Sequence, residues 1–359
     1  MKQTFYAFLA TLLISVPLFS TPMITLTGSA ISGASAYKQE NSEQAFRGQF
    51  ESATDILVGL EFSDQVSALI DLGFGAAPNV SRFVSGAELF GLTITVSPKN
   101  FFNTSITLGF MTIPFGQFAE EQSANAIISS PFIYNDLGVA LLSSGSSLLN
   151  FGSSGALTTT SLRNIGTINL MVFNGTHFTA SNPDKGFGFV ARYINDQLID
   201  NLSVGFSYMN SNDKGNSAGL DANTTGYSID FKSEYFGLEY GGAYTILTLD
   251  DYNAATLDDV NTYMFYVSRG FDGFTLAARY SAVAPKDFNG DGSGISSAMP
   301  VVGLGNTSSD IDTTRIQVAG VFHLDDYVNF HNELIFDTYG ENRTGYNNIA
   351  ALSYVAVNF

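Results

Sequence analysis

The stretch Ile349-Ala-Ala-Leu-Ser-Tyr-Val-Ala-Val-Asn-Phe359 closes the chain. Ile349, Ala351, Val355, Val357 and Phe359 are apolar and share one parity, with Ser353 the single exception. Alternate residues of a β-strand lie on one face. The segment therefore reads as a strand with one greasy face, ending at an aromatic carboxy-terminus.

The same alternation runs back through the chain. Residues 54–63 place Ile56, Val58, Leu60 and Phe62 on one face and Asp55, Gly59, Glu61 and Ser63 on the other. Residues 66–75 set Val66, Ala68, Ile70, Leu72 and Phe74 against Ser67, Asp71, Gly73 and Gly75. Segments 201–210, 224–233 and 313–324 repeat the pattern with Leu202, Val204 and Phe206, with Tyr227, Ile229 and Phe231, and with Ile316, Val318 and Phe322. Further strands are expected at 24–37, 87–97, 104–113, 157–164, 166–175, 186–194, 235–247, 261–269, 274–283, 328–339 and 348–359, sixteen in all. The segment 157–164 alternates least. Pro78, Pro98, Pro114, Pro131, Pro183, Pro285 and Pro300 are expected between strands, because proline cannot donate to a ladder. Links alternate in length. Those at 38–53, 76–86, 114–156, 176–185, 211–223, 248–260, 284–312 and 340–347 are long, and those between them are short. Short turns on one side and long loops on the other are the pattern of a transmembrane β-barrel with short periplasmic turns and long extracellular loops. A soluble sandwich has no reason to alternate this way. The expected fold class is all-β, a transmembrane sixteen-stranded antiparallel β-barrel.

Composition agrees. Only 13% of the 359 residues are charged, against about 25% for an average soluble domain, yet the formal net charge is −18. A surface facing lipid needs few charges. The acidic balance argues against nucleic acid, whose phosphates call for Lys and Arg, and favours cations or divalent bridges to lipopolysaccharide. The absence of Cys excludes a disulfide framework and thiolate metal sites. Met1-Lys2-Gln3 followed by an apolar run from Phe5 to Phe19 reads as a signal peptide over 1–20, with the barrel spanning 21–359. Ser20 is one cleavage point; Ala34-Ser35-Ala36 is another, though it would remove a strand. No other segment approaches the roughly 18–20 apolar residues of a membrane helix. A membrane-spanning chain without such helices must close its sheet, since lipid satisfies no backbone hydrogen bonds.

The terminal strand resembles the closing strand of bacterial outer-membrane barrels, in which a terminal Phe is read by the barrel-assembly machinery. The resemblance makes Phe359, with Val357 and Val355, the assembly signal. The long link after the fifth strand resembles the loop that folds into the lumen of sixteen-stranded general diffusion porins of Gram-negative bacteria. Leu108-Gly109-Phe-Met-Thr-Ile-Pro114-Phe115-Gly116 resembles the strand-to-loop junction of the phosphate-selective porin superfamily. That superfamily lines its pore with basic residues, whereas this chain has 15 Lys plus Arg in total. The resemblance implies an outer-membrane location, a homotrimer, contact with lipid and lipopolysaccharide, and passage of small hydrophilic solutes.

With the Phe- and Ile-bearing faces toward lipid, the inward bases are Arg192, Lys232, Arg279 and Arg315, with Arg163 a fifth candidate. The inward acids are Asp55, Glu61, Asp71, Asp230, Glu239, Glu333 and Asp337, and the long loop adds Glu120, Glu121 and Asp136. General porins set an acidic infolded loop against a basic wall, and the transverse field favours polar permeants. One reading makes Glu120, Glu121 and Asp136 one side of a pore constriction, and Arg192, Lys232, Arg279 and Arg315 the other. The competing reading pairs these charges locally along the wall. Tyr266, Tyr339 and Tyr354 are candidate inward aromatics of a sugar-type channel.

Asp287, Asn289 and Asp291, with the Ser293 carbonyl, fall at the spacing of a calcium loop, with Gly292 at its turn and Ala298 where a bidentate acid belongs. The alternatives are a weak Ca²⁺ site and a flexible Gly-rich loop. No other cofactor is expected. His177, His323 and His331 form no Ser–His or Asp–His arrangement in sequence, and catalysis is not expected. The functional expectation is a water-filled, weakly cation-preferring channel. The alternatives are a substrate-specific anion or sugar channel and a ligand-binding or adhesin barrel.

Overall fold

A computed structural model describes residues 23–39, 47–76, 86–99, 103–116, 152–174, 186–213, 222–250, 257–286, 313–339 and 348–359. They form sixteen strands: β1 (Met23–Gln39), β2 (Arg47–Ser63), β3 (Val66–Ala76), β4 (Gly86–Val96), β5 (Thr104–Thr112), β6 (Gly152–Leu162), β7 (Gly166–Phe173), β8 (Phe187–Ile199), β9 (Leu202–Asp213), β10 (Ala222–Tyr235), β11 (Leu238–Asp250), β12 (Leu257–Phe271), β13 (Phe274–Lys286), β14 (Thr313–His323), β15 (Val328–Tyr339) and β16 (Asn348–Asn358). Each pairs antiparallel with its neighbours in sequence, and β16 pairs with β1, which closes the barrel. The seam is tied by reciprocal bonds: Gly28 N–H donates to the Phe359 carbonyl (2.9 Å) and Phe359 N–H to the Gly28 carbonyl (3.0 Å).

Period-two patterning survives in space. Val355, Val357 and Phe359 are exposed on the outer face, while Ala350, Leu352, Tyr354 and Ala356 of the same strand are buried on the inner one. Around the outside stand exposed Leu170, Val172, Phe206, Ile229, Phe265, Ile316, Val318 and Leu334. In water such a surface would be a severe liability; against hydrocarbon it is what a transmembrane barrel requires. Near the short turns the outer face is aromatic. Phe271 stacks on Phe274 (4.6 Å), which neighbours Phe322 (6.3 Å), which neighbours Phe330 (6.5 Å). This is the girdle that barrels place at a membrane–water interface. The β10–β11 hairpin turns through Phe236 (φ 53°) and Gly237 (φ 71°), the two left-handed residues a type I′ turn demands.

Strand ends differ from the sequence-based expectation. β2 begins at Arg47 rather than 54, β8 runs to Ile199, and β12 spans Leu257–Phe271. These ends lie where the outer residues no longer need to be apolar, so alternation fades before the ladder does. β6 spans Gly152–Leu162, which puts Arg163 on the exposed turn to β7 rather than on the wall. Pro285 lies inside β13, opposite Val260 of β12, and corrects the expectation that every proline falls between strands. The β13–β14 pairing ends at Val283–Thr313. Pro285 therefore has a ladder partner on one side only, an edge position where its missing N–H is tolerated.

Large inward side chains lie over inward glycines of the neighbouring strand. At the seam, a Cβ on Gly33 would meet the Ser353 carbonyl at 2.0 Å and the Tyr354 ring at 2.5 Å. By contrast, a Cβ on Gly59 would meet nothing nearer than Thr25 at 3.6 Å. Gly33→Val is expected to lower the unfolding free energy by about 1–3 kcal/mol, as overpacking does. Gly59→Ala should stay within about 0.5 kcal/mol of the parent. Urea titration of the barrel in detergent micelles, read by the mobility of the folded form on unheated SDS gels, checks both.

Candidate functional site

The inner wall carries the polar chemistry, and the chain enters the lumen at one described place. β5 reaches the long-link end of the barrel at Thr112, and the backbone then leaves the wall. Phe115 N–H donates to the Ile113 carbonyl at 2.8 Å, closing a three-residue turn about Pro114. Proline's fixed φ suits the central position of such an inverse γ-turn. Gly116 follows at φ 76°, a left-handed conformation that glycine adopts without strain. Earlier in the same motif, Gly109 holds φ 136°, and a Cβ there would strike the Leu92 carbonyl at 2.0 Å. The Gly109…Pro114-Phe115-Gly116 spacing thus encodes a close strand contact followed by an inward turn.

Phe115 is seated across the barrel from its own strand. A Cβ on Gly226 of β10 would meet its ring at 2.8 Å and Leu247 of β11 at 3.0 Å. Ile113 and Phe115 are buried, as are Met171 and Phe173 of β7, Val190 of β8, Met209 of β9 and Leu247. These residues form an apolar inner band that fixes the loop's root. Below the band, toward the short turns, lies a buried charge pair. Arg192 Nη1 and Nη2 donate to Asp230 Oδ2 (3.3 Å) and Oδ1 (3.2 Å), with both side chains about 1% exposed. Ser207 Oγ links band and pair, accepting from Gly116 N–H (3.1 Å) and from Arg192 Nη1 (3.4 Å). A Cβ on Gly205 would fall 2.3 Å from Asp230 Oδ1, so this glycine makes the room the carboxylate occupies.

The other inward bases are also tied to the wall. Lys232 Nζ lies 3.3 Å from Glu239 Oε1, which also accepts from the Tyr266 hydroxyl at 2.9 Å. Arg279 Nε donates to Gln317 Oε1 (2.8 Å), and Gln317 Nε2 donates to Glu333 Oε1 (3.1 Å), linking β13, β14 and β15. Arg315 is buried and stands opposite Asp337 in register. The structure therefore brings Arg192, Lys232, Arg279 and Arg315 onto the inner face of β8 to β14 and sets the first three against wall partners. Sequence parity found these bases. Parity also puts Gly205, Ser207 and Gln317 on the inner face, but it could not find what they and Gly226 contact, which depends on which residues stand opposite one another.

Glu120, Glu121 and Asp136 lie outside the described residues, as do His177 and the calcium-like Asp287, Asn289, Asp291 and Ser293. The side chains of Asp55, Asp337 and Tyr339 also lie outside the described ones. Among the described residues, no group of three or more His, Asp or Glu converges as a metal site. Tyr266 and Tyr354 are buried in the inner wall. His323 sits at the short-turn rim, with its ring nitrogens 3.0 Å from Thr275 Oγ1 and 2.8 Å from Asn329 Oδ1.

No family model matches the chain, and no curated protein matches it in sequence. Solved structures match its fold. The anion-selective porin of Comamonas acidovorans superposes with a TM-score of 0.66 at 12% identity, over 94% of this chain and 100% of that one. The outer-membrane channel DcaP of Acinetobacter baumannii gives 0.65 at 10% identity, over 94% and 97%. The in-vitro folded trimer form of OmpT from Vibrio cholerae gives 0.61 at 12%, over 95% and 100%. The fold is that of Gram-negative outer-membrane porins.

Removing one partner of a buried ion pair costs about 3–5 kcal/mol, whereas an apolar pair of similar volume is often neutral. Asp230→Asn is therefore expected to destabilise the barrel by about that amount. The double variant Arg192→Met with Asp230→Leu should recover most of the loss. Urea unfolding in micelles of the single and double variants decides.

Proposed function

We propose that this chain is an outer-membrane porin, a water-filled channel for passive diffusion of small hydrophilic solutes and ions, with a weak preference for cations. One observation carries the reading: a closed sixteen-strand barrel, apolar outside, whose inner wall bears hydroxyls, amides and charges. The short turns and both described ends of the barrel are then periplasmic, and the long links extracellular.

The cation preference rests on the net charge of −18 and on the pairing of Arg192 with Asp230 and of Lys232 with Glu239. A base neutralised within the wall attracts little anion from the lumen. Acidic residues near a mouth raise local cation concentration, an effect screened beyond about 8–10 Å at physiological salt. The porin of Comamonas acidovorans is anion-selective, the opposite preference. At 12% identity the two share a fold, and the charges that set selectivity are this chain's own.

A homotrimer suits the outer face. β8 to β13 present exposed Phe206, Tyr227, Tyr263, Phe265 and Tyr280, whereas β1 and β16 present Gly28, Ala30, Ser32, Ala351 and Ser353 at the outward positions. An aromatic-poor wall packs closely against a copy of itself. Recognition by the barrel-assembly machinery is supported by Phe359, Val357 and Val355, all apolar and exposed on the outer face at the end of the strand that pairs with β1.

Refolded protein in a planar bilayer under a KCl gradient is expected to show stepwise conductance. The zero-current potential should carry the sign of a cation preference of a few-fold at most. A potential of the opposite sign would overturn the selectivity and favour an anion-type channel. Absence of any step would overturn the channel.

A further inference from the structure

The inner surface of the barrel divides into two unlike arcs. From β7 to β16 most inward side chains are buried, Met171, Arg192, Asp230, Tyr266, Gln317 and Leu352 among them, and the Lys232–Glu239 pair near the turns is a partly exposed exception. From β1 to β6 most inward positions are open, with Thr93, Met111 and Ser153 among the buried exceptions on β4 to β6. Thr25, Thr27 and Glu61 are exposed, Leu69 is 40% exposed, and Ser67, Asp71, Thr95, Thr107 and Thr159 are half-buried. The register places all of these on the face shared with Gly33 and Tyr354, so their exposure is to the lumen and not to the outer surface.

Resting on the channel reading above, we propose that the water path is eccentric. It runs along the β1–β6 arc, and Glu61 and Asp71 are the charges that set its selectivity. A group without contact with water cannot touch a permeating ion. Arg192, Arg279 and Arg315 are then struts of the wall, whereas the open arc carries acids. Among the described side chains, no strand from β1 to β6 directs a base to the inner face; Arg47, whose side chain lies outside the described ones, stands opposite Tyr37 at an inward register position of β2.

The arc is shaped to present these acids. Asp71 stands at a register shift between β3 and β4, where Leu72 pairs with Leu89 instead of the next residue in step. Bulges of this kind re-aim a side chain. Its cross-strand partner is Gly91, where a Cβ would come within 3.2 Å of Asp71 Cβ, so glycine keeps the space beside the carboxylate clear. Glu61 lies at a second register shift, between β2 and β3, one step from the short turn. The rest of the lining is hydroxylic: Thr95 and Thr107 hydroxyls lie 2.9 Å apart across β4 and β5. Hydroxyl oxygens replace part of a cation's hydration, and Leu57, Leu69 and Leu157 on the same arc accommodate an apolar substituent. The ligand class is monovalent cations, and among organic solutes ammonium compounds over carboxylates of equal size.

The chain has no cysteine, so single introduced thiols report accessibility cleanly. Ser67→Cys and Thr107→Cys mark the open arc, and Ser228→Cys and Ser281→Cys the buried wall. Each barrel, once shown to fold by heat-shifted gel mobility, is exposed to a cationic methanethiosulfonate reagent in a planar bilayer. Stepwise loss of conductance is expected for the first pair and none for the second. In the same bilayers, Glu61→Gln with Asp71→Asn should bring the cation-to-anion permeability ratio down to near unity. Block at Ser228→Cys and Ser281→Cys with none at Ser67→Cys and Thr107→Cys overturns the eccentric path. An unchanged permeability ratio in the double variant overturns the role of the two acids. Both results leave the channel standing, whereas a parent protein that never conducts removes the channel reading itself.

Discussion

Everything in this molecule depends on the closure of one hydrogen-bonded ladder. Hydrocarbon offers no partner to a backbone N–H or C=O, and each unsatisfied group there costs several kcal/mol. Sixteen strands satisfy one another only because β16 returns to β1, where Gly28 and Phe359 exchange their backbone bonds. Closure also removes choice. Once the sheet is continuous, every side chain faces either lipid or lumen, and a slip of one residue would exchange the two sets. The apolar outer face and the polar inner face are thus consequences of one pairing, and the acids and bases of the lumen take their neighbours from it.

Within that frame, glycine governs how the lumen is filled. Tyr354 lies over Gly33, Phe173 over Gly188, Tyr266 over Gly241, Phe115 over Gly226 and Asp230 against Gly205. In each case a larger residue in place of the glycine would collide with the side chain it now supports. Large inward groups consequently lie along the wall, and the wall from β7 to β16 becomes a packed surface with its charges paired laterally. Glycine–aromatic packing and lateral ion pairing together leave the opposite arc as the open side. The loop root joins the two systems. Phe115 belongs to the apolar band, and Gly116, through Ser207, belongs to the Arg192–Asp230 pair.

Much of the fold was legible because lipid makes the pattern strict. The strand count and the parity of Val355, Val357 and Phe359 follow from alternation, and so does the inward placement of Arg192, Lys232, Arg279, Arg315, Glu239 and Glu333. Strand ends were less legible, because beyond the lipid boundary nothing forces residue 47 or 257 to be apolar, and Pro285 could enter a strand whose neighbour had already stopped pairing. The site was legible only by face. Parity places Arg192 and Asp230 on the inner wall, but their contact depends on the register of β8, β9 and β10. That register also decides whether a base faces the lumen alone or is neutralised. The exposure contrast between Glu61 and Glu333 has no signature in local sequence, since both are acids at inward positions of alternating strands.

The closed register underlies each of these placements, and one measurement reaches it directly. Ile31 and Ala356 are cross-strand partners at the seam, at the separation of about 4.5–5.5 Å between Cα atoms at which antiparallel partners stand. In the cysteine-free chain, Ile31→Cys with Ala356→Cys is expected to form an intramolecular disulfide on mild oxidation of the membrane-inserted protein, locking the barrel against unfolding in urea. Failure of this pair to cross-link, with efficient cross-linking of Ile31→Cys and Tyr354→Cys instead, would contradict the register, and with it the arrangement of every inward residue on β1 and β16.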